Sequence, residues 1–373
     1  MIPPPKKKIL FILHLPPPIH GVSVMNQVIY DSALINGSFD CDFINLATAG
    51  KIENLQKHAF SKYFPALKMI SRVLFKLLTR RYDEVYVTPF PYGFAFIKDS
   101  VTLLLIRLFG VKPILHLHTY GFKKAAGRSG LRKKYYRFVF KNVDVICLSK
   151  LLIEDIEGLY KGAVSILPNG IRQVNFENTY QLHNGPVQLL FLSNLIKGKG
   201  ILLLIDAAAI LKEQGYAFHL RVAGPESEIT YNDLRALISA KQITDVITLA
   251  GPKYDVEKYE EFRKADIFIL PSDYETFGLV LLEAMQFGVP CIAGNVGGIP
   301  DVLGDGRGIL LNELNAATLA GAIAYLIDHP QERQSMGAAG FNYYKTHFTQ
   351  DKFESGLNNI LSRHTETLNT ARL

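Results

Sequence analysis

Short unbroken apolar runs alternate with stretches of helical periodicity along this 373-residue chain, and the alternation occurs twice. Strands of a parallel sheet are covered on both faces and so read as continuous apolar runs, whereas crossover helices repeat near 3.6 residues. The first series of expected strands is KILFILH (8–14), EVYVTP (84–89), PILHLH (113–118), DVICLS (144–149) and SILPNG (165–170). Residues 172–186, RQVNFENTYQLHNGP, lose the periodicity and are expected to link two domains. The second series is VQLLFLS (187–193), FHLRVAG (218–224), VITLAG (246–251), DIFILPS (266–272) and VPCIAG (289–294), with helices over 199–214 and 230–241. Each series predicts a doubly wound α/β domain, and the length exceeds what one core usually organises.

Open parallel sheets hold ligands beyond the carboxyl ends of their strands. HLPPPIHG, HLHTYG, LPNG, LSNLIKGKG, VAGPE, LAGP, LPSDYETFG and AGNVGG all follow an expected strand, so functional groups are sought there. In LPSDYETFGLVLLEAM, Glu275 precedes a helix and Glu283 lies inside it, while Gly278 permits a tight turn between them. Free amides at that helix start suit a diphosphate held between the two carboxylates. In FLSNLIKGKGILLL, Lys197 and Lys199 sit in a turn where lysine neutralises phosphate. Taken singly, the two glutamates would be structural in most proteins, and the lysines are as readily solvated loop residues.

Composition limits the classes. With 48% hydrophobic and 20% charged residues the chain is globular. Three dispersed cysteines, Cys41, Cys147 and Cys291, indicate neither a disulfide framework nor a zinc site and fit a reducing compartment. The opening MIPPPKKKILFILHLPPP imitates a signal peptide, but its apolar core is short, contains His14 and ends in prolines, so it is read as the first strand. VTLLLIRLFG is interrupted by Arg107 and ILLLIDAAAIL by Asp206, so no span is expected. The net charge of +7, concentrated in the first half, invites an anionic partner. Residues 55–81 and 121–141 interleave Lys and Arg with aromatic and aliphatic residues, a pattern suited equally to an interfacial helix on anionic lipid and to an ordinary helix with a solvated basic face.

The ordered series F-x-S-N-L-x-x-x-K-G, V-A-G, A-D-I-F-I-L-P-S, E-T-F-G-L-V-L-L-E-A, G-V-P and G-G-I-P-D resembles the donor-binding domain of family 4 of the retaining glycosyltransferases. The resemblance implies the GT-B fold: two Rossmann-like doubly wound domains facing across a cleft, with a C-terminal helix returning to the N-terminal domain. It divides the chain into an acceptor domain (1–175), a donor domain (186–345) and closing helices (346–373). It also implies that Glu275 lies near the transferred sugar and that Glu283 contacts the nucleotide ribose. Gly278 with Leu279 offers backbone amides to the donor, Phe277 joins the donor site, and Lys199 binds phosphate. Gly224 and Asn194 join the donor site; Asn194 stands where the family commonly has an arginine. In the first half, Gly21 matches the second glycine of a family loop, His20 replaces the first, and His118 matches a histidine near sugar and acceptor, with His116 the weaker choice.

The implied reaction is retaining transfer from a nucleotide-sugar, expected to be a UDP-sugar, to a lipid-linked, polysaccharide or lipopolysaccharide acceptor. No cofactor or metal is expected, since the sequence has no metal-ligand spacing. The expected place is the inner face of the cytoplasmic membrane. A nicotinamide oxidoreductase would require GxGxxG after a strand, which HLPPPIHGVS and LSNLIKGKG do not supply. A basic nucleic-acid-binding module leaves the donor motifs unexplained, so no nucleic acid is expected.

Overall fold

The computed structural model describes residues 5–46, 60–128, 130–174 and 185–370. Most of the expected linker, and residues 55–59 of the first basic stretch, lie outside the described residues. The chain divides into two compact units, Met1–Asn169 with Gln350–Leu373, and Gly170–Thr349.

The first unit is built on a parallel sheet of β1 (Lys8–Leu13), β2 (Asp40–Asn45), β3 (Glu84–Val87), β4 (Pro113–Leu117), β5 (Asp144–Cys147) and β6 (Val164–Ile166). Their order is β2-β1-β3-β4-β5-β6, so connections run in opposite directions on the two sides of β1, which creates a switch point between β1 and β3. The sequence reading omitted β2. Its DCDFIN is an edge strand, mostly half-buried, so it lacks a continuous apolar run. Asp42 instead ties it to the following helix through Lys76 Nζ at 2.8 Å, and to Tyr82 Oη just past that helix at 2.6 Å.

The helices Phe60–Thr79, Gly93–Leu108 and Gly130–Val139 cover one face of this sheet, setting Val73, Leu103 and Val139 against Leu10, Val85 and Leu115. The C-terminal helix Gln350–Thr370 covers the other, burying Phe353, Leu357 and Leu361. Lys7 Nζ holds it by donating to the Leu361 carbonyl at 2.8 Å while pairing with Glu84 at 2.6 Å. Ser32 Oγ donates to Glu354 at 2.9 Å.

The second unit contains β7 (Val187–Leu192), β8 (Phe218–Ala223), β9 (Ile247–Gly251), β10 (Ile267–Leu270), β11 (Cys291–Gly294) and β12 (Gly308–Leu311). The parallel order β12-β11-β10-β7-β8-β9 is that of a dinucleotide-binding sheet, with its switch point between β7 and β10. The short edge strand β12, GILL, was not expected; it is mostly half-buried and follows the loop GDGR. Among the described residues no helix is long and apolar enough to cross a membrane.

Candidate active site

The loops after β7 and β10 meet at the switch point of the second unit. Asp273 N donates to the Gly198 carbonyl at 3.1 Å, which ties one loop to the other. Lys199 ends the turn Lys197–Lys199, and its Nζ lies 2.6 Å from Glu275 Oε2. About a quarter of the Lys199 side chain and a fifth of the Glu275 side chain are exposed (24% and 18%), so the pair is open to a ligand. The other carboxylate oxygen, Oε1, accepts from Thr276 N at 3.0 Å, which fixes the carboxyl plane.

Gly278 sets the direction of the next helix, Leu279–Gln286, from a left-handed conformation at φ 80°. A Cβ there would lie 2.7 Å from Leu281 Cδ1. No side chain caps this helix, so its first amides retain their capacity to hold an anion. The loop after β11 braces the Glu275 segment from behind. Gly297 has φ +56°, and a Cβ on it would fall 1.9 Å from the Glu275 carbonyl oxygen, while Gly298 N donates to the Thr276 carbonyl at 2.8 Å. Only glycine allows these two backbones to approach so closely.

Glu283, one turn into the helix, pairs with Lys258 Nζ at 2.6 Å. Burial pushes its carboxyl above the ordinary range, and the ammonium of Lys258 draws it partly back. Sequence reasoning missed Lys258, because DVEKYEEFRK reads as a solvated helix. The available signal was Glu283 itself: a carboxylate in the middle of LVLLEAMQ needs a cation nearby.

Other expected donor residues take distinct places. The Phe277 ring is buried, edge-on to Phe348 at 5.7 Å, so it offers a ligand only its backbone. Asn194 is exposed just beyond β7, and Gly224 closes β8, its N–H donating to the Gly251 carbonyl at 3.0 Å.

In the first unit, His118 follows β4 and is buried, with Nε2 unpartnered among the described residues. Burial lowers its pKa to about 3, so the ring is neutral at physiological pH. His116 lies 4.0 Å from it by ring centroids and is held by Tyr86 Oη at 2.5 Å from Nδ1. His14, at the end of β1, packs edge-on against Phe90 at 5.1 Å; burial, then the charge of Lys98, lowers its pKa to about 3. Its Nε2 and Thr119 Oγ1 are likewise unpartnered. The sequence reading used His14 only against a signal peptide, yet its strand-end place puts it with His118 among the candidates.

His20 has a structural task. Its Nδ1 accepts from Ser23 N at 3.2 Å and Ser23 Oγ accepts from His20 N at 2.9 Å, a reciprocal cap for the helix Gly21–Asp31. Gly21 is exposed as the first residue of that helix. Among the described residues no three His, Cys, Asp or Glu side chains converge as a metal site.

Residues 175–343 match the family model described as Glycosyl transferases group 1. That segment, less than half of the chain, resembles the family. It is 35% identical over 190 residues to the D-inositol 3-phosphate glycosyltransferase of Arthrobacter sp. (strain FB24), covering 48% of this chain and 45% of that protein. It is 34% identical over 146 residues to the putative colanic acid biosynthesis glycosyltransferase WcaL of Escherichia coli (strain K12), covering 37% of this chain and 36% of that protein. The first three curated relatives are matched over 45%, 44% and 37% of their own lengths, less than half in each case. The crystal structure of Anabaena HepE in complex with UDP shares the fold, with a TM-score of 0.70 at 16% identity over 96% of this chain and 100% of that one. The fold is GT-B, and the matched segment contains Lys199, Glu275 and Glu283.

Proposed function

We propose that this protein is a glycosyltransferase that moves a sugar from a nucleoside diphosphate sugar, with UDP as the nucleotide, onto a lipid-linked or polysaccharide acceptor of the cell envelope. The observation that carries the reading is the partly exposed Lys199–Glu275 pair at the switch point of a dinucleotide-type sheet, next to an uncapped helix start. The UDP bound in the HepE complex and the putative role of WcaL in colanic acid biosynthesis support the choice of donor and acceptor.

The chemistry follows from charge. As the sugar–phosphate bond breaks, negative charge grows on the departing diphosphate and positive charge on the sugar. Lys199 and the amides of Leu279 and Val280 stabilise the first electrostatically, in a position fixed before the reaction. The Glu275 carboxylate, released from Lys199 by the incoming phosphate, faces the cationic sugar. Glu283 accepts hydrogen bonds from the ribose hydroxyls. His118, neutral, holds a sugar or acceptor hydroxyl through Nε2. We assign retention of anomeric configuration, with the leaving phosphate taking the acceptor proton, and a reaction without metal.

The test is incubation of the full chain with UDP-, GDP- and ADP-sugars and an envelope extract, following nucleoside diphosphate release and sugar incorporation. Incorporation from a UDP-sugar, with unchanged anomeric configuration by NMR, is the expected result. No release from any donor overturns the activity, and an inverted product overturns the stereochemical assignment.

A further inference from the structure

The three helices that cover one face of the first unit's sheet have a second apolar face, pointing away from the core. In Phe60–Thr79 the core-facing residues are Ala66, Met69, Val73 and Leu77, yet Phe64, Leu67, Phe75 and Leu78 on the opposite side are all more than three-fifths exposed (72%, 64%, 66% and 66%). In Gly93–Leu108 the residues Ile97, Val101, Leu104 and Leu108, spaced four, three and four apart, form an exposed stripe that no charge interrupts. In Gly130–Val139 the stripe is Leu131, Tyr135 and Phe138. The first helix packs beside the second, and the second beside the third. An apolar surface spread over three neighbouring helices exceeds what a solvated monomer ordinarily exposes.

Its charges have one sign. Phe60–Thr79 and Gly130–Val139 contain no acid, and Asp99, the acid of Gly93–Leu108, is buried, accepting from Phe90 N at 3.1 Å. Lys68 and Arg72 flank the apolar stripe of the first helix, and Arg132 and Lys134 that of the third, all exposed. The sequence pattern isolated the outer two helices; the fold sets an uncharged apolar helix between them.

We propose that this three-helix face docks on an anionic bilayer, with the Gly93–Leu108 stripe entering the acyl boundary and the cations of its two neighbours on lipid phosphates. The middle helix starts at the carboxyl ends of the strands, where Phe90 packs against His14 and where Tyr92 is exposed. A lipid-linked acceptor in the same bilayer would thus arrive beside His14 and His118. The docking stands on the surface itself, and its link to the acceptor rests on the function proposed above.

The test is flotation of the full chain with phosphatidylcholine vesicles and with vesicles of equal parts phosphatidylcholine and phosphatidylglycerol. Binding to the second and not the first, weakened by salt, is expected. Each of Arg72→Ala and Lys134→Ala should lower partitioning about fivefold, and Val101→Glu with Leu104→Glu should reduce it to the neutral-vesicle background. Because these positions are exposed, the variants should keep the wild-type melting temperature and the donor-induced thermal shift. Absence of binding to anionic vesicles overturns the proposal, as does equal partitioning of the glutamate variant. A stable dimer that the glutamate variant dissociates would assign the face to a second copy and overturn it too. Donor binding without vesicle binding sinks only the docking; vesicle binding without donor binding sinks only the transferase reading.

Discussion

Replacing Lys258 by alanine leaves Glu283 as a largely buried carboxylate without its cation. With charge centres about 4 Å apart, an effective dielectric near 20 gives roughly 4 kcal/mol of attraction. The N–O distance is 2.6 Å, and 22% of the Lys258 and 19% of the Glu283 side chain face solvent. Screening through that opening trims the coupling to about 2 kcal/mol. A double-mutant cycle of Lys258→Ala and Glu283→Gln, followed by urea unfolding of the full chain, should return a coupling of that size, with the double variant close to Glu283→Gln alone. The Glu283 carboxyl already sits above its ordinary range because burial outweighs Lys258. Removing the lysine raises it further, and a raised carboxyl gives stability that is lost as pH climbs through it. Lys258→Ala should therefore lose more stability at pH 8 than at pH 5. A coupling under about 0.5 kcal/mol, or a loss independent of pH, refutes the reasoning.

Lys199→Ala and Glu275→Gln should each lower turnover by about a hundredfold or more, the usual effect of removing one preorganised stabilising group; steady-state kinetics with the donor identified by incorporation check this. Gly297→Ala should cost at least about 1–2 kcal/mol from its left-handed conformation alone. It should also raise the donor KM, because the Glu275 carbonyl must retreat from the new Cβ. His14 and His118, both lowered to about 3, refuse protons that the unfolded chain accepts below pH 6.5. Stability present above pH 6.5 is thus lost as pH falls towards 3, about 2 kcal/mol for each histidine by pH 5. His118→Asn should reduce the stability lost between pH 7.5 and pH 5 by that amount in urea unfolding, and an unchanged difference would contradict the assignment.

The sequence was most legible where burial is complete. Strands such as Val187–Leu192 and Ile267–Leu270 are covered on both faces and announce themselves as apolar runs. The edge strands Asp40–Asn45 and Gly308–Leu311 are half-solvated, lack that pattern and were missed. The same divide runs through the site. Lys199, Glu275 and Gly278 sit in turns directly after strands, where the fold class itself directs attention. Lys258 reaches Glu283 from a helix whose charges look like ordinary solvated ones, so only the tertiary packing identifies it. Phe277 shows the converse, since its motif suggests a ligand contact but its ring is needed against Phe348. The outward stripe of Gly93–Leu108 was hidden because a doubly apolar helix and a fully buried one read alike in a linear sequence.

The most direct test of the central claim is a thermal-shift panel of UDP-, GDP- and ADP-sugars on the wild-type chain and on Lys199→Ala. A UDP-sugar should raise the melting temperature of the wild type and lose most of that effect when Lys199 is gone. No shift with any nucleotide-sugar, or an equal shift in both proteins, would contradict it.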